Sequence, residues 1–188
     1  MIVIGKYPSL ERQWNKLMYA FFNYLPMQYK KVTPRDWKIR RLVWNFKDGR
    51  DFEYVARITA DTMVKFWGNE TVNIVFICVP ASSEEKNERR YKNFSIRVCA
   101  LSGAMNGFNY IKIEGSRFAI HDKHIKKDVQ QYQKVSFDES FFKGKKVLIF
   151  DDILTKGFSY ARFALKLEKL GAEILGGFFL GKTIFNDR

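Results

Sequence analysis

Two runs set the architecture. VNIVFICVP, residues 72–80, and VLIF, residues 147–150, are apolar at almost every position. Side chains of a strand alternate between faces, so such a run is buried on both sides. Strands covered on both faces are central strands of a parallel sheet. Helical patterns lie between and after them. Tyr91, Phe94, Val98 and Leu101 recur at helical spacing, and YARFALKLEKLGA is amphipathic and closed by Gly171. EILGGFFLGKT reads as a last strand, weakened by Gly176 and Gly177, and YIKIE and RFAIH as short strands. This alternation predicts an α/β fold with a mainly parallel sheet flanked by helices.

The N-terminal third reads as helix. Ser9 can cap LERQWNKLMYAFFNYL, in which Leu10, Trp14, Leu17, Met18, Phe21, Phe22 and Leu25 form a helical stripe. Thr33, Pro34 and Asp36 start a second helix that runs to Phe46. Asp51 caps a third, FEYVARITADTMVKFW, which Gly68 ends. KIRRLVWNFK within the second has two readings. It is a basic and aromatic nucleic-acid surface, or Trp37, Leu42, Val43 and Phe46 pack inward while Lys38, Arg40, Arg41 and Lys47 are solvated. Residues 1–70 are therefore expected as a helical segment packed on a domain of residues 71–188.

With 46% hydrophobic residues, the 188-residue chain has enough apolar material for a full core. It lacks an apolar run of membrane-spanning length, and its start lacks signal-peptide features, so a cytoplasmic protein is expected. Cys78 and Cys99 read as reduced core residues, and His121 and His124 as solvated side chains rather than zinc ligands. The formal charge of +13 is spread along the chain and favours anionic ligands such as nucleotides, pyrophosphate esters or nucleic acid.

The second apolar run leads into chemistry. VLIF is followed by Asp151 and Asp152, then by Leu154 to Ser159 and a helix. Ligands of open parallel sheets bind at the carboxyl ends of the strands, near helix N-termini. The N–H groups of Thr155, Lys156, Gly157, Phe158 and Ser159 can converge on one anion, with the hydroxyls of Thr155 and Ser159 as further donors. Gly157 permits positive φ and close approach of a ligand. The stretch can hold a phosphate in the turn and two vicinal hydroxyls on the two carboxylates, which are the features of a 5-phosphoribosyl group.

VLIFDDILTKGFS resembles the signature with which type I phosphoribosyltransferases bind 5-phosphoribosyl 1-pyrophosphate (PRPP). That resemblance implies that Asp151 and Asp152 hold the ribose hydroxyls and residues 155–159 the 5-phosphate. It departs from the family at Lys156 and Phe158, where small residues are usual. VPASSEEKNERRYKNF is similar to the pyrophosphate loop of ComF-like phosphoribosyltransferases. There Ala81, Ser82 and Ser83 would supply backbone, and Lys86, Arg89 and Arg90 charge. The cysteine-rich zinc segment at the front of many ComF-like proteins is absent.

The long, polar, basic stretch IHDKHIKKDVQQYQKVSFDESFFKGKK, residues 120–146, falls where the family carries a closing loop. By resemblance Lys123, His124, Lys126 and Lys127 are lid residues, with Lys126 and Lys127 joining Asp151 and Asp152 as catalytic candidates. Mg²⁺ would come bound to PRPP, with no direct protein ligand. Thr155 stands where 6-oxopurine transferases carry an aspartate, which argues against hypoxanthine or guanine as acceptor. The resemblance implies transfer of a 5-phosphoribosyl group to or from a nitrogenous acceptor; a homodimer is a further expectation. The alternatives are a non-catalytic PRPP or nucleotide sensor and a nucleic-acid accessory protein on the same fold.

Overall fold

The computed structural model describes residues 8–114 and 134–185. RFAIH, both histidines, Lys123, Lys126 and Lys127 lie outside the described residues, whereas the end of the expected lid stretch, residues 134–146, is described. The elements are α1 (Pro8–Trp14), β1 (Leu17–Tyr24), α2 (Pro34–Lys47), α3 (Phe52–Trp67), β2 (Ile74–Cys78) and α4 (Glu84–Asn87). After a π-helical turn at Glu88–Lys92 come α5 (Asn93–Ser102), β3 (Met105–Asn106), β4 (Ile111–Glu114), β5 (Lys134–Phe137), α6 (Glu139–Phe142), β6 (Lys146–Leu154), α7 (Phe158–Lys169) and β7 (Glu173–Thr183).

Five strands form one sheet in the order β1-β7-β6-β2-β3, with every neighbouring pair parallel. β4 and β5 form a separate antiparallel pair. The expected mainly parallel α/β fold is therefore present. The two apolar runs became β2 and β6 at its centre. Ile74, Phe76, Leu148 and Phe150 pack with Val43, Phe46, Met63 and Phe94 of α2, α3 and α5. Val75, Ile77, Val147 and Ile149 pack with Tyr160, Ala164 and Leu167 of α7. Each face of the sheet has its own core, which is why both runs needed apolar residues at consecutive positions. Among the described residues no helix is long and apolar enough to cross a membrane.

The first third departs from the helical expectation. The predicted first helix stops at Trp14, and residues 17–24 are an edge strand parallel to β7. Leu17, Phe21 and Phe22 touch one core, and Met18 and Ala20 the other. A strand apolar on both faces also satisfies a three-and-four spacing, so the pattern alone misassigned it. What admits this strand is Gly176. A Cβ there would collide with the backbone of Leu17, and its φ of 152° is one that side chains rarely adopt. The glycines that looked like weak points of the last strand are sites of close approach.

α2 and α3 occur where expected. Thr33 and Asp36 make a reciprocal capping box, with Asp36 N–H donating to Thr33 Oγ1 at 3.2 Å and Thr33 N–H to Asp36 Oδ2 at 2.8 Å. Asp51 precedes α3 but does not cap it. Its φ is 54°, and its carboxylate accepts from Asn45 Nδ2 at 2.8 Å. Neither reading of KIRRLVWNFK placed Arg40 correctly. Its buried guanidinium donates to the carbonyls of Leu25, Pro26 and Tyr29 at 2.8, 2.6 and 3.0 Å. Three carbonyls after β1, of which that of Pro26 also accepts from Tyr29 N–H at 3.1 Å, justify a buried charge. Trp37, expected inside, is exposed with the Arg40 guanidinium 5.2 Å from its ring.

Candidate functional site

β6 is longer than its apolar run and continues to Leu154, so both aspartates are strand residues at the carboxyl end of the sheet. Adjacent strand residues do not share an environment. Asp151 is half-buried and lines a cavity of about 280 Å³ together with Ile153, Leu154, residues 155–159, Tyr160 and Phe179. Asp152 is not among that cavity's lining residues. It is buried, and its Oδ2 accepts from Arg90 Nη1 at 2.5 Å with Lys47 Nζ at 3.8 Å.

These surroundings set the charges. Loss of solvent pushes the Asp151 carboxyl well above the ordinary aspartate range, and the negative charge of Asp152 adds to this. The N–H of Asp152, which donates to Asp151 Oδ1 at 2.9 Å, and the cations Lys47 and Arg90 offset part of it. Tyr91 is buried beside the pair. Desolvation and then the charges of Asp152 and Asp151 hold its phenol well above its usual value.

At the turn, Gly157 takes the positive φ that the sequence suggested, and a residue that it did not indicate braces it. Gly157 has φ 72° and precedes α7, which starts without a side-chain cap or an acid in its first turn. A helix start without a side-chain cap, and the helix dipole, favour an anion there. Thr155, Lys156 and Ser159 are exposed. The Thr155 hydroxyl is shared with Thr183 Oγ1 at 2.8 Å. Trp14 of α1 donates from Nε1 to the Gly157 carbonyl at 3.3 Å, and its ring meets Phe158 edge-on at 5.5 Å. A Cβ at Gly157 would lie 2.8 Å from that same nitrogen.

The expected pyrophosphate loop follows β2, whose Cys78 is level with Phe150 in the neighbouring strand. Several of its groups are already engaged. Ala81 N–H donates to Asn87 Oδ1 at 3.1 Å. Ser83 Oγ caps α4 by accepting from Lys86 N–H at 3.3 Å, and Ser82 Oγ is 3.4 Å from Lys86 Nζ. Arg89 lies 3.9 Å from Glu85. Arg90, expected to supply charge to this loop, is largely buried and pairs with Asp152. Its Nε donates to the Lys47 carbonyl at 3.3 Å. Sequence reasoning missed Lys47 and Trp14 as site residues. Both lie far from the motif in the chain, with no local pattern to mark them. Among the described residues no group of three or more His, Cys, Asp or Glu is placed to hold a metal.

No protein-family model matches the chain, and comparison with curated proteins finds no match. Solved structures with a similar course include a hypoxanthine-guanine phosphoribosyltransferase from Bacillus anthracis, with 12% identity, 71% of this chain and 76% of that chain covered, and a TM-score of 0.41. A hypoxanthine phosphoribosyltransferase from Staphylococcus aureus has 13% identity, coverages of 73% and 76%, and a TM-score of 0.42. For a purine phosphoribosyltransferase from Pyrococcus horikoshii the values are 12% identity, 89% and 91% coverage, and 0.39.

Proposed function

We propose that this chain binds PRPP and transfers its 5-phosphoribosyl group to or from a nitrogenous acceptor, as a relative of the ComF-like phosphoribosyltransferases. The observation that carries the reading is one cavity that contains both Asp151 and the turn at residues 155–159, where α7 starts without a side-chain cap. A phosphate on the turn places the attached sugar beside a carboxylate. In this reading the turn anchors the 5-phosphate, Asp151 accepts a ribose hydroxyl, and Asp152 is the second acceptor. The loop at residues 81–90 faces the pyrophosphate, with Lys126 and Lys127 closing over it.

A single carboxylate lining the cavity fits Mg²⁺, a hard cation that keeps most of its waters and needs no direct protein ligand. Carried in on the pyrophosphate, the ion would neutralise charge on the leaving group. The chain's own residues bind and orient the ligand and supply fixed dipoles where charge develops. Calorimetry with PRPP and Mg²⁺ tests the binding. Release of pyrophosphate with a panel of bases tests the transfer. No heat at millimolar PRPP would end the reading.

A second reading, a non-catalytic PRPP or nucleotide sensor, is favoured by the engagement of Arg90 with Asp152. Binding without pyrophosphate release from any base would select it.

A further inference from the structure

Two cations from separate elements meet at one carboxylate oxygen. Lys47 is the last residue of α2, and Arg90 lies in the π-helical turn before α5; both approach Asp152 Oδ2. The two contacts differ. Arg90 is fixed by Asp152, by the Lys47 carbonyl and by the face of Tyr91, whose ring centre is 5.5 Å from the guanidinium carbon. Lys47 Nζ is 3.8 Å away, beyond a hydrogen bond, and its side chain is 36% exposed. Two positive groups thus share one carboxylate oxygen at the carboxyl end of β6. The remaining charged or titratable groups beside it are Asp151, Tyr91 and Cys78.

We propose that Lys47 and Arg90 form a diphosphate-binding cation pair, and that Asp152 occupies it in the ligand-free chain as an internal substitute for the ligand. The inference rests on the PRPP reading and extends it to the N-terminal segment, which supplies Lys47. PRPP carries both a diphosphate and a vicinal diol. Its diphosphate takes the two cations as its diol takes the released carboxylate, so one internal ion pair is exchanged for two contacts with the ligand. A ligand with only one of these groups leaves a charge unmatched. The contact therefore selects for ligands that carry both groups.

The test is calorimetry of sodium pyrophosphate, without Mg²⁺, on the full chain. Asp152→Asn vacates the pair and tightens pyrophosphate by about tenfold, the scale of one charge-assisted contact. Asp61→Asn adds the same unit of charge at a distant exposed site and changes affinity by less than about twofold. Lys47→Met weakens pyrophosphate by about five- to tenfold and removes the gain in the double variant with Asp152→Asn. Unchanged pyrophosphate affinity in a folded Asp152→Asn protein overturns the proposal. Should that variant not fold, unchanged affinity in Lys47→Met overturns it alone. Ribose 5-phosphate separates the two readings. If the parent binds neither it nor PRPP, the PRPP function fails while the pyrophosphate result still judges the cation pair.

Discussion

Asp151 and Asp152 are neighbours of identical chemistry, yet they occupy opposite electrostatic situations. Asp151 lines the cavity, and no cation is within salt-bridge distance of it among the described residues. Asp152 lies against the α2 and α5 side with two cations on one oxygen. A ligand site at a strand end therefore has two functional sides separated by a single peptide. One carboxyl is costly to ionise and the other is needed as an anion. This difference makes the pair separable by experiment.

The largest effects should come from the acids themselves, with opposite signs. Asp152→Asn leaves a nearly buried guanidinium without its counter-charge and should cost about 3 kcal/mol of stability, measured by denaturant unfolding at pH 7. Asp151→Asn should instead raise the melting temperature at pH 7. The folded carboxyl titrates above its unfolded value, so its contribution is fully present below that unfolded value of 3.8 and is lost as pH rises through the folded one. The advantage of the Asn variant should accordingly disappear near pH 3. Equal signs for the two substitutions at pH 7 would erase the distinction.

On the cavity side, Gly157→Ala forces a side chain into left-handed backbone and against Trp14. A loss of about 2 kcal/mol is expected, together with weakened ribose 5-phosphate binding; retained stability and affinity would show that the turn tolerates a Cβ. Trp14→Phe keeps a ring but removes the donor to Gly157. It should cost about 1 kcal/mol and weaken phosphate binding without altering pyrophosphate affinity, which calorimetry of both anions can show.

The smallest stability effect is expected at exposed Lys156. Lys156→Thr should change stability by less than about 0.5 kcal/mol, yet weaken PRPP binding and flatten its salt dependence if the ammonium reaches the phosphate. Tighter binding would mark Lys156 as an obstruction and favour the sensor.

The legible features share a cause. Burial on both faces leaves a mark at consecutive positions, so β2 and β6 were readable from composition alone. The α2 capping box and the turn at Gly157 are also local, because the groups that satisfy one another lie within a few residues. The sequence by itself thus determined the class of sheet, the strand that ends in acids and the turn beside them. Tertiary structure alone decided that residues 17–24 are strand, since their spacing suits either element and only the surface at Gly176 distinguishes them. It alone decided which aspartate meets the cavity and which meets Lys47 and Arg90. Those partners are 105 and 62 residues away in the chain, and ion pairing depends on distance in space, to which no local pattern refers.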